Sequence, residues 1–377
     1  MNTLLTLLVL LARHPASQAS SRDAARLEHL YAEVSAGYDS ARGGLVTRDC
    51  APLESSVELA FALGREQGDP LWTARARRTV VWMHALYDSA GGGFFLRLKD
   101  ADPMQQSFDK PTSANARRLE NLIDAWQRGG DGAQRDLAAH VADYMDRVLA
   151  DGRGGFTAGQ VGDRALLPEP NGQAIRAWLR WAAATADPRA RDFALKSLDR
   201  VWESCWSEGL GLMRPDEFGN PSGAPRLVDQ TEMGRAYVLG AHIAGRQADL
   251  DRARKLGDLL LAHFEDPEKG GFAEVASPRG GGGKAHRGGR KFDQNASAVR
   301  YLSELASISG MNDYRDAARR AGQAFEKNLG HAGADAADWA LALRALKVPD
   351  LPPRPKWNEP KKTESAQPRV FRPSAGK

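Results

Sequence analysis

The sequence predicts an all-α fold, a closed (α/α)6 toroid of six helical hairpins, on three observations. Apolar residues recur at helical spacing between breakers in about twelve segments, with almost no convincing strand. A weak repeat of about sixty residues runs through the chain, each copy a glycine-rich turn, a polar loop and two helices. The series opens on one unpaired helix and ends on another. Pairing these two shuts a ring without the polar capping repeats that an open solenoid needs.

The first helix spans about 21–36, where Ala25, Leu27, Leu30, Tyr31 and Val34 fall on one side. Helix pairs follow at about 53–67 and 70–87, 113–128 and 132–149, 171–186 and 188–205, 229–246 and 248–264, and 293–309 and 312–329. A last helix covers about 335–346. First helices such as Val57–Leu63 and Ala174–Leu179 are broadly apolar with small residues, whereas second helices such as Asp136–Met145 carry a charged face. A helix apolar over a wide arc is buried on several sides, and one with a single apolar stripe covers the outside. First helices therefore form an inner ring and second helices an outer one.

The turns between hairpins read Tyr38-Asp39-x-x-x-Gly43-Gly44, Tyr87-Asp88-x-x-Gly91-Gly92-Gly93-Phe94 and Asp151-Gly152-x-Gly154-Gly155-Phe156. Glu208-Gly209-x-Gly211 and Glu265-Asp266-x-x-x-Gly270-Gly271-Phe272 continue the series, and Gly330–Gly333 is a degenerate copy. Glycine supplies the positive φ that a tight reversal requires. The glycine turns are expected to be structural, with the following Phe packed between hairpins.

Three segments divide the chain: residues 1–19, 20–346 and 347–377. Leu4–Ala12 is an apolar run too short to cross a bilayer, and it precedes Ser17 and Ala19, which suit a signal-peptide cleavage site. The expectation is a periplasmic or secreted protein with no integral membrane segment in the mature chain, or a cytoplasmic one if that segment is not a signal. The last segment holds seven of the twenty prolines, and its eight Lys or Arg against three Asp or Glu outweigh the whole-chain net charge of +4. It is expected to be a disordered tail. The remainder is near neutral, which excludes a nucleic-acid footprint. Cys50 and Cys205 are too few and too far apart to fix a redox compartment.

Aligning the copies on their turns places one polar cluster at the start of every inner helix, and so at one mouth of the ring. The clusters are Glu54-Ser55-Ser56, Asp109–Asn115, Glu169–Gln173, Asp229–Glu232, Asp293–Asn295 and Asp335–Asp338. Any single member suits a helix cap. As a set, with Phe108, Phe292, Trp339 and Trp178 nearby, they suit a polyhydroxylated ligand: carboxylates and amides bind hydroxyls, and aromatic faces cover a sugar ring. Glycoside cleavage needs two carboxylates with separated roles, for which Asp109, Asp229 and Asp293 are the candidates. Glu54, Asn115, Glu169, Asn171, Gln173, Trp178, Gln230, Phe292, Gln294, Asn295, Asp338 and Trp339 are the expected substrate contacts. Replacing Asp229 or Asp293 by Asn is expected to abolish activity while changing stability by less than ~1 kcal/mol. No metal site is expected, because no Cys/His cluster occurs. Nor does any motif call for a cofactor. The Gly-rich loop 279–290 lacks phosphate-loop spacing and reads as a lid or solvated loop.

Gly91-Gly92-Gly93-Phe94-Phe95 followed by Lys110-Pro111-Thr112-Ser113-Ala114-Asn115-Ala116 resembles the GGFF stretch and the P-S-G-N element of a particular α/α toroid. That toroid belongs to a family of thioredoxin-domain-containing proteins, which includes the spermatogenesis-associated protein of animals. Gly154-Gly155-Phe156 and Gly270-Gly271-Phe272 support the resemblance, which runs through most of residues 21–346. It implies a six-hairpin glycosidase-like fold, related to the N-acylglucosamine 2-epimerase-like proteins. It assigns no catalytic residue. The family's thioredoxin-like domain and any C-x-x-C motif are absent from this sequence, so no redox role carries over.

The sequence thus points to a protein that acts on, or binds, a small-molecule or oligosaccharide ligand in the central cavity, glycoside hydrolase-like if active. A non-catalytic carbohydrate- or peptide-binding scaffold is one alternative and a sugar 2-epimerase-like isomerase another. An epimerase of this shape would use two histidines as acid and base, yet only His242 falls on an inner helix.

Overall fold

Two residues suffice to join most inner helices to their outer partners, and the same device recurs at four of these joints. The inner helix ends on a left-handed residue, Gly68, Ala186, Gly245 or Gly310, which reverses the chain. An extended residue then starts the outer helix. Asp69 and Asp187 do so with a side-chain cap on the N–H two residues on, ahead of Pro70 and Pro188 at the first helical position.

The computed structural model describes residues 15–99, 102–106, 109–129, 132–161, 164–276 and 289–357. Among them are twelve α-helices. The inner ring consists of α2 (Glu54–Gln67), α4 (Thr112–Gly129), α6 (Pro168–Thr185), α8 (Leu227–Ala244), α10 (Phe292–Ser309) and α12 (Ala336–Ala345). The outer ring consists of α1 (Pro15–Ala36), α3 (Pro70–Met83), α5 (Gly132–Tyr144), α7 (Pro188–Cys205), α9 (Gln247–Leu259) and α11 (Asn312–Ala324). Each inner helix packs on the next, and α12 packs on both α10 and α2. The first helix, α1, packs on α12, which makes the sixth hairpin. The expected closed (α/α)6 toroid is the observed fold. Strand is confined among the described residues to short two-stranded ribbons such as Tyr38–Asp39 with Gly44–Leu45.

The core lies between the two rings. Phe94, Phe156 and Phe272, the residues after the glycine turns, are all buried there, as expected. Close approach of inner helices needs small residues. A Cβ on Gly172 would lie 2.4 Å from the backbone carbon of Glu232, so only glycine lets α6 rest on α8 at this point. Both cysteines are buried and free, and burial pushes the Cys205 thiol up to about 12.

Three expectations change or fall outside the structure. Helix α1 starts at Pro15 and runs through Ser17 and Ala19, while the apolar run before it lies outside the described residues, as do Phe108 and most of the Gly-rich loop. Lys347 does not mark the end of ordered structure. Leu351 and Trp357 pack against the core, and Asp350 pairs with Arg65 at 3.1 Å. Residues 348–357 thus form a strap across one end of the ring, while residues 358–377 lie outside the description. The inner helices, finally, are not apolar on every side: their axis-facing stripes are charged.

Candidate functional site

At the mouth where inner helices begin, four amides share one structural task. Asn115, Asn171, Gln230 and Asn295 are each the fourth residue of α4, α6, α8 and α10. Each side-chain oxygen accepts from the N–H of a turn residue (Phe94, Phe156, Leu212 and Phe272, at 2.7–2.8 Å), and each NH2 donates back to that residue's carbonyl. The second amide hydrogen goes to the carbonyl four residues earlier. All four side chains are fully buried. They clamp each turn onto the next inner helix and leave nothing for a ligand. This corrects their expected role as substrate contacts. It also corrects the capping reading, since α6, α8 and α10 are preceded by Leu167, Arg226 and Lys291, none of which makes a side-chain cap.

The three candidate catalytic carboxylates have separate surroundings. Asp229 is 1% exposed and receives Arg214 Nε at 2.9 Å and the Glu169 N–H at 3.1 Å, so it closes the open end of the neighbouring helix. Arg214 also bonds Glu169 at 2.9 Å. Burial, together with the charges of Asp229 and Glu232, raises the Glu169 carboxyl despite Arg214. Asp109 is exposed, and its carbonyl accepts from the Leu96 N–H. Asp293 is exposed and lies near Asp335, whose carboxyl is pushed up to about 6 by burial and by Asp338 and Asp293.

Among the remaining expected contacts, Glu54 accepts from the buried Arg118, and Asp338 accepts from Ser55, which in turn accepts from Arg117. Phe292 and Trp339 pack with tilted rings, centroids 5.0 Å apart, and Phe325 joins them. Trp178 faces outward, edge-on to Phe156 and Phe193, beside a hollow on the outer wall and away from the axis. Gln173 and Gln294 have buried amide oxygens with no protein partner.

The concave site lies deeper, toward the C-terminal ends of the inner helices. A cavity of about 250 Å3 is lined there by side chains from α2, α4, α6, α8 and α10 and is bounded by Asp350–Pro353 of the strap. None of the expected site residues lines it. Its wall is a mesh of cross-helix ion pairs. Arg176 of α6 bonds Glu120 of α4 at 3.0 Å and Glu232 of α8 at 2.9 Å. Arg235 of α8 bonds Glu304 of α10 at 3.1 Å, and Arg300 of α10 bonds Glu58 of α2. Arg180 of α6 bonds Asp124 of α4 at 2.7 Å.

Burial raises every carboxyl here, and the neighbouring arginines decide which of them end up lowered. For Glu58, burial is outweighed by Arg300, with Arg117 and Arg235 behind it, and the carboxyl lies well below the usual range. Glu120 is lowered in the same way by Arg176 and Arg180. Asp124 goes up: burial wins over Arg180 and Arg128, and Glu58 and Asp350 add to it. Asp124 Oδ2 has no protein partner. The cavity therefore holds one carboxyl displaced upward, Asp124, among others displaced downward, Glu58 and Glu120. A sequence signal for these residues existed. Glu120/Asp124, Arg176/Arg180 and Arg300/Glu304 are charges four apart on helices otherwise suited to burial, a pattern that marks a polar face turned inward.

Among the described residues no group of three or more His, Cys, Asp or Glu is placed to hold a metal, and no helix is long and apolar enough to cross a membrane. His242, on α8, bonds the Pro352 carbonyl at 2.9 Å.

No protein-family model and no curated protein sequence matches the chain. Solved structures do. A D-mannose isomerase superposes with a TM-score of 0.70 at 14% identity, covering 89% of this chain and 100% of its own. The cellobiose 2-epimerase of Spirochaeta thermophila gives 0.71 at 15% identity, covering 90% and 99%. A family 76 α-mannanase from Bacteroides thetaiotaomicron gives 0.67 at 10% identity, covering 86% and 96%. The chain shares with these three proteins the closed (α/α)6 toroid fold.

Proposed function

We propose that the protein binds a small carbohydrate in the axial cavity. The observation that carries this reading is the cavity itself, where carboxylates and guanidinium groups from five inner helices converge and Asp124 turns an unpartnered oxygen among them. Paired donors and acceptors of this kind suit the hydroxyls of a sugar. At about 250 Å3 the space suits a ligand of one or two rings, at the small end of the roughly 300–1,000 Å3 usual for ligand pockets. The names of the structural neighbours, an isomerase, an epimerase and a mannanase of sugars, support the same ligand class. The Gly91–Phe95 and Pro111–Asn115 stretches support placing the chain beside the toroid of the thioredoxin-domain-containing family.

Hydrolysis is the second reading, favoured by the opposite displacement of Asp124 and Glu58. One carboxyl displaced upward and another displaced downward in the same cavity is the direction of the division of labour that glycoside cleavage requires. Asp124 would protonate the leaving oxygen and Glu58 would act as base or nucleophile. The histidine-pair chemistry of an epimerase finds less support, because His242 is engaged by the strap.

The test is calorimetric titration with a panel of mono- and disaccharides, on wild type and on Asp124→Asn and Asp293→Asn. Saturable binding weakened about tenfold by Asp124→Asn and unchanged by Asp293→Asn is expected. Loss of binding in Asp293→Asn alone would move the site to the mouth and overturn the proposal.

A further inference from the structure

Arg65 of α2 and Arg128 of α4 stand at the strap end of the cavity, and the carboxylate between them comes from outside the ring. Asp350 Oδ1 is 3.1 Å from Arg65 Nη2, and Asp350 Oδ2 is 3.5 Å from Arg128 Nη2. The nearest ring carboxylates serve these arginines poorly: Glu66 is 3.9 Å from Arg65, and Asp124, 3.5 Å from Arg128, is already taken at 2.7 Å by Arg180. Arg128 Nη1 is buried with no hydrogen-bond partner.

The charges of the wall show the same need. The ring sets six arginines against four lining carboxylates and Glu232 behind them, and Asp350 of the strap supplies the sixth negative charge. A cationic surplus in a low-dielectric cavity draws in an anion, and the planar guanidinium fork favours a carboxylate.

We infer that the strap end of the cavity is a carboxylate-binding subsite for an acidic sugar, a monosaccharide unit carrying a carboxyl group, and that Asp350 occupies this subsite when the ligand is absent. The inference rests on the proposed carbohydrate site and narrows its ligand class. The acid group of the sugar takes the place of Asp350 between Arg65 and Arg128, and the hydroxyls face Asp124 and Arg180. Only the Asp350 carboxylate needs to swing away, because the strap beyond it stays tied by Leu351 and Trp357 on the core, by the Pro352 carbonyl on His242 and by the Trp357 ring 4.8 Å from the Arg191 guanidinium.

The probes are D-glucuronate and D-galacturonate against D-glucose and D-galactose, titrated calorimetrically into wild type and Asp350→Asn. Wild type should bind the acids at least about tenfold more tightly than the neutral sugars. Removing the competing carboxylate in Asp350→Asn should tighten the acids by about another tenfold and leave the neutral sugars unchanged. Equal affinity of wild type for acids and neutral sugars overturns this inference and leaves the carbohydrate site standing. Weaker acid binding by Asp350→Asn also overturns it. Binding of neither kind of sugar by either protein overturns both readings.

Discussion

Asn171 and Phe156 are joined by two hydrogen bonds, with the Phe156 N–H donating to Asn171 Oδ1 at 2.7 Å and Asn171 Nδ2 donating to the Phe156 carbonyl at 2.8 Å. Both groups are buried, so no water can replace either bond. Asn171→Leu leaves a buried N–H and C=O unpaired and should destabilise the protein by about 2–4 kcal/mol. Urea denaturation measures it, and a loss under about 1 kcal/mol would show that the clamp does not hold the turn.

Asp229 was expected from the sequence to be removable at little cost to stability. Its burial under Arg214 and its bond to the Glu169 N–H predict otherwise. Asp229→Asn should lower stability by about 1–3 kcal/mol, since it leaves Arg214, itself partly exposed, with Glu169 alone. The same variant should bring the Glu169 carboxyl down, because one of the charges raising it is gone. Thermal unfolding measures the first effect and NMR titration of Glu169 the second. Unchanged stability would mean that the pair contributes nothing.

Asp249, on α9, is fully buried with neither carboxyl oxygen hydrogen-bonded, although Arg246 and Arg252 stand 3.5 and 3.6 Å away. Burial pushes its carboxyl up to about 6 in spite of both arginines. The folded protein therefore keeps this proton to a higher pH than the unfolded chain, which gives it up near 3.8. Stability falls as pH rises from about 4 to 6 and the loss is complete above that window. Asp249→Asn cannot titrate. Relative to wild type it should gain roughly 1–3 kcal/mol between pH 4 and pH 7. Urea midpoints at the two pH values check this, and a constant difference would show that Asp249 titrates normally.

The helical repeat was legible because its signals are local. Apolar spacing, glycine turns and prolines at helix starts all act within a few residues, and the ring followed from pairing the two end helices. The observed α2, α7 and α10 fall within a few residues of their expected bounds. The clamp amides were found as members of the polar clusters but given the wrong partner. Their hydrogen bonds reach turns 15–23 residues back, and the chain between them sets no geometry until it is folded.

The axial cavity depended on tertiary structure altogether. Glu120 and Arg176 are 56 residues apart, Glu58 and Arg300 are 242 apart, and Arg65 and Asp350 are 285 apart. Nothing in the order of the chain says that these charges meet, or that burial raises the Asp124 carboxyl while Arg300 overrides burial and lowers that of Glu58. The sequence by itself determined the hairpins, the rings and their closure, since helix formation and amphipathic faces are set by neighbours three and four residues apart. Ring closure alone decided which charges share a low-dielectric space, and the strap decided which of them face a carboxylate, because electrostatic interaction depends on distance and burial rather than on chain position.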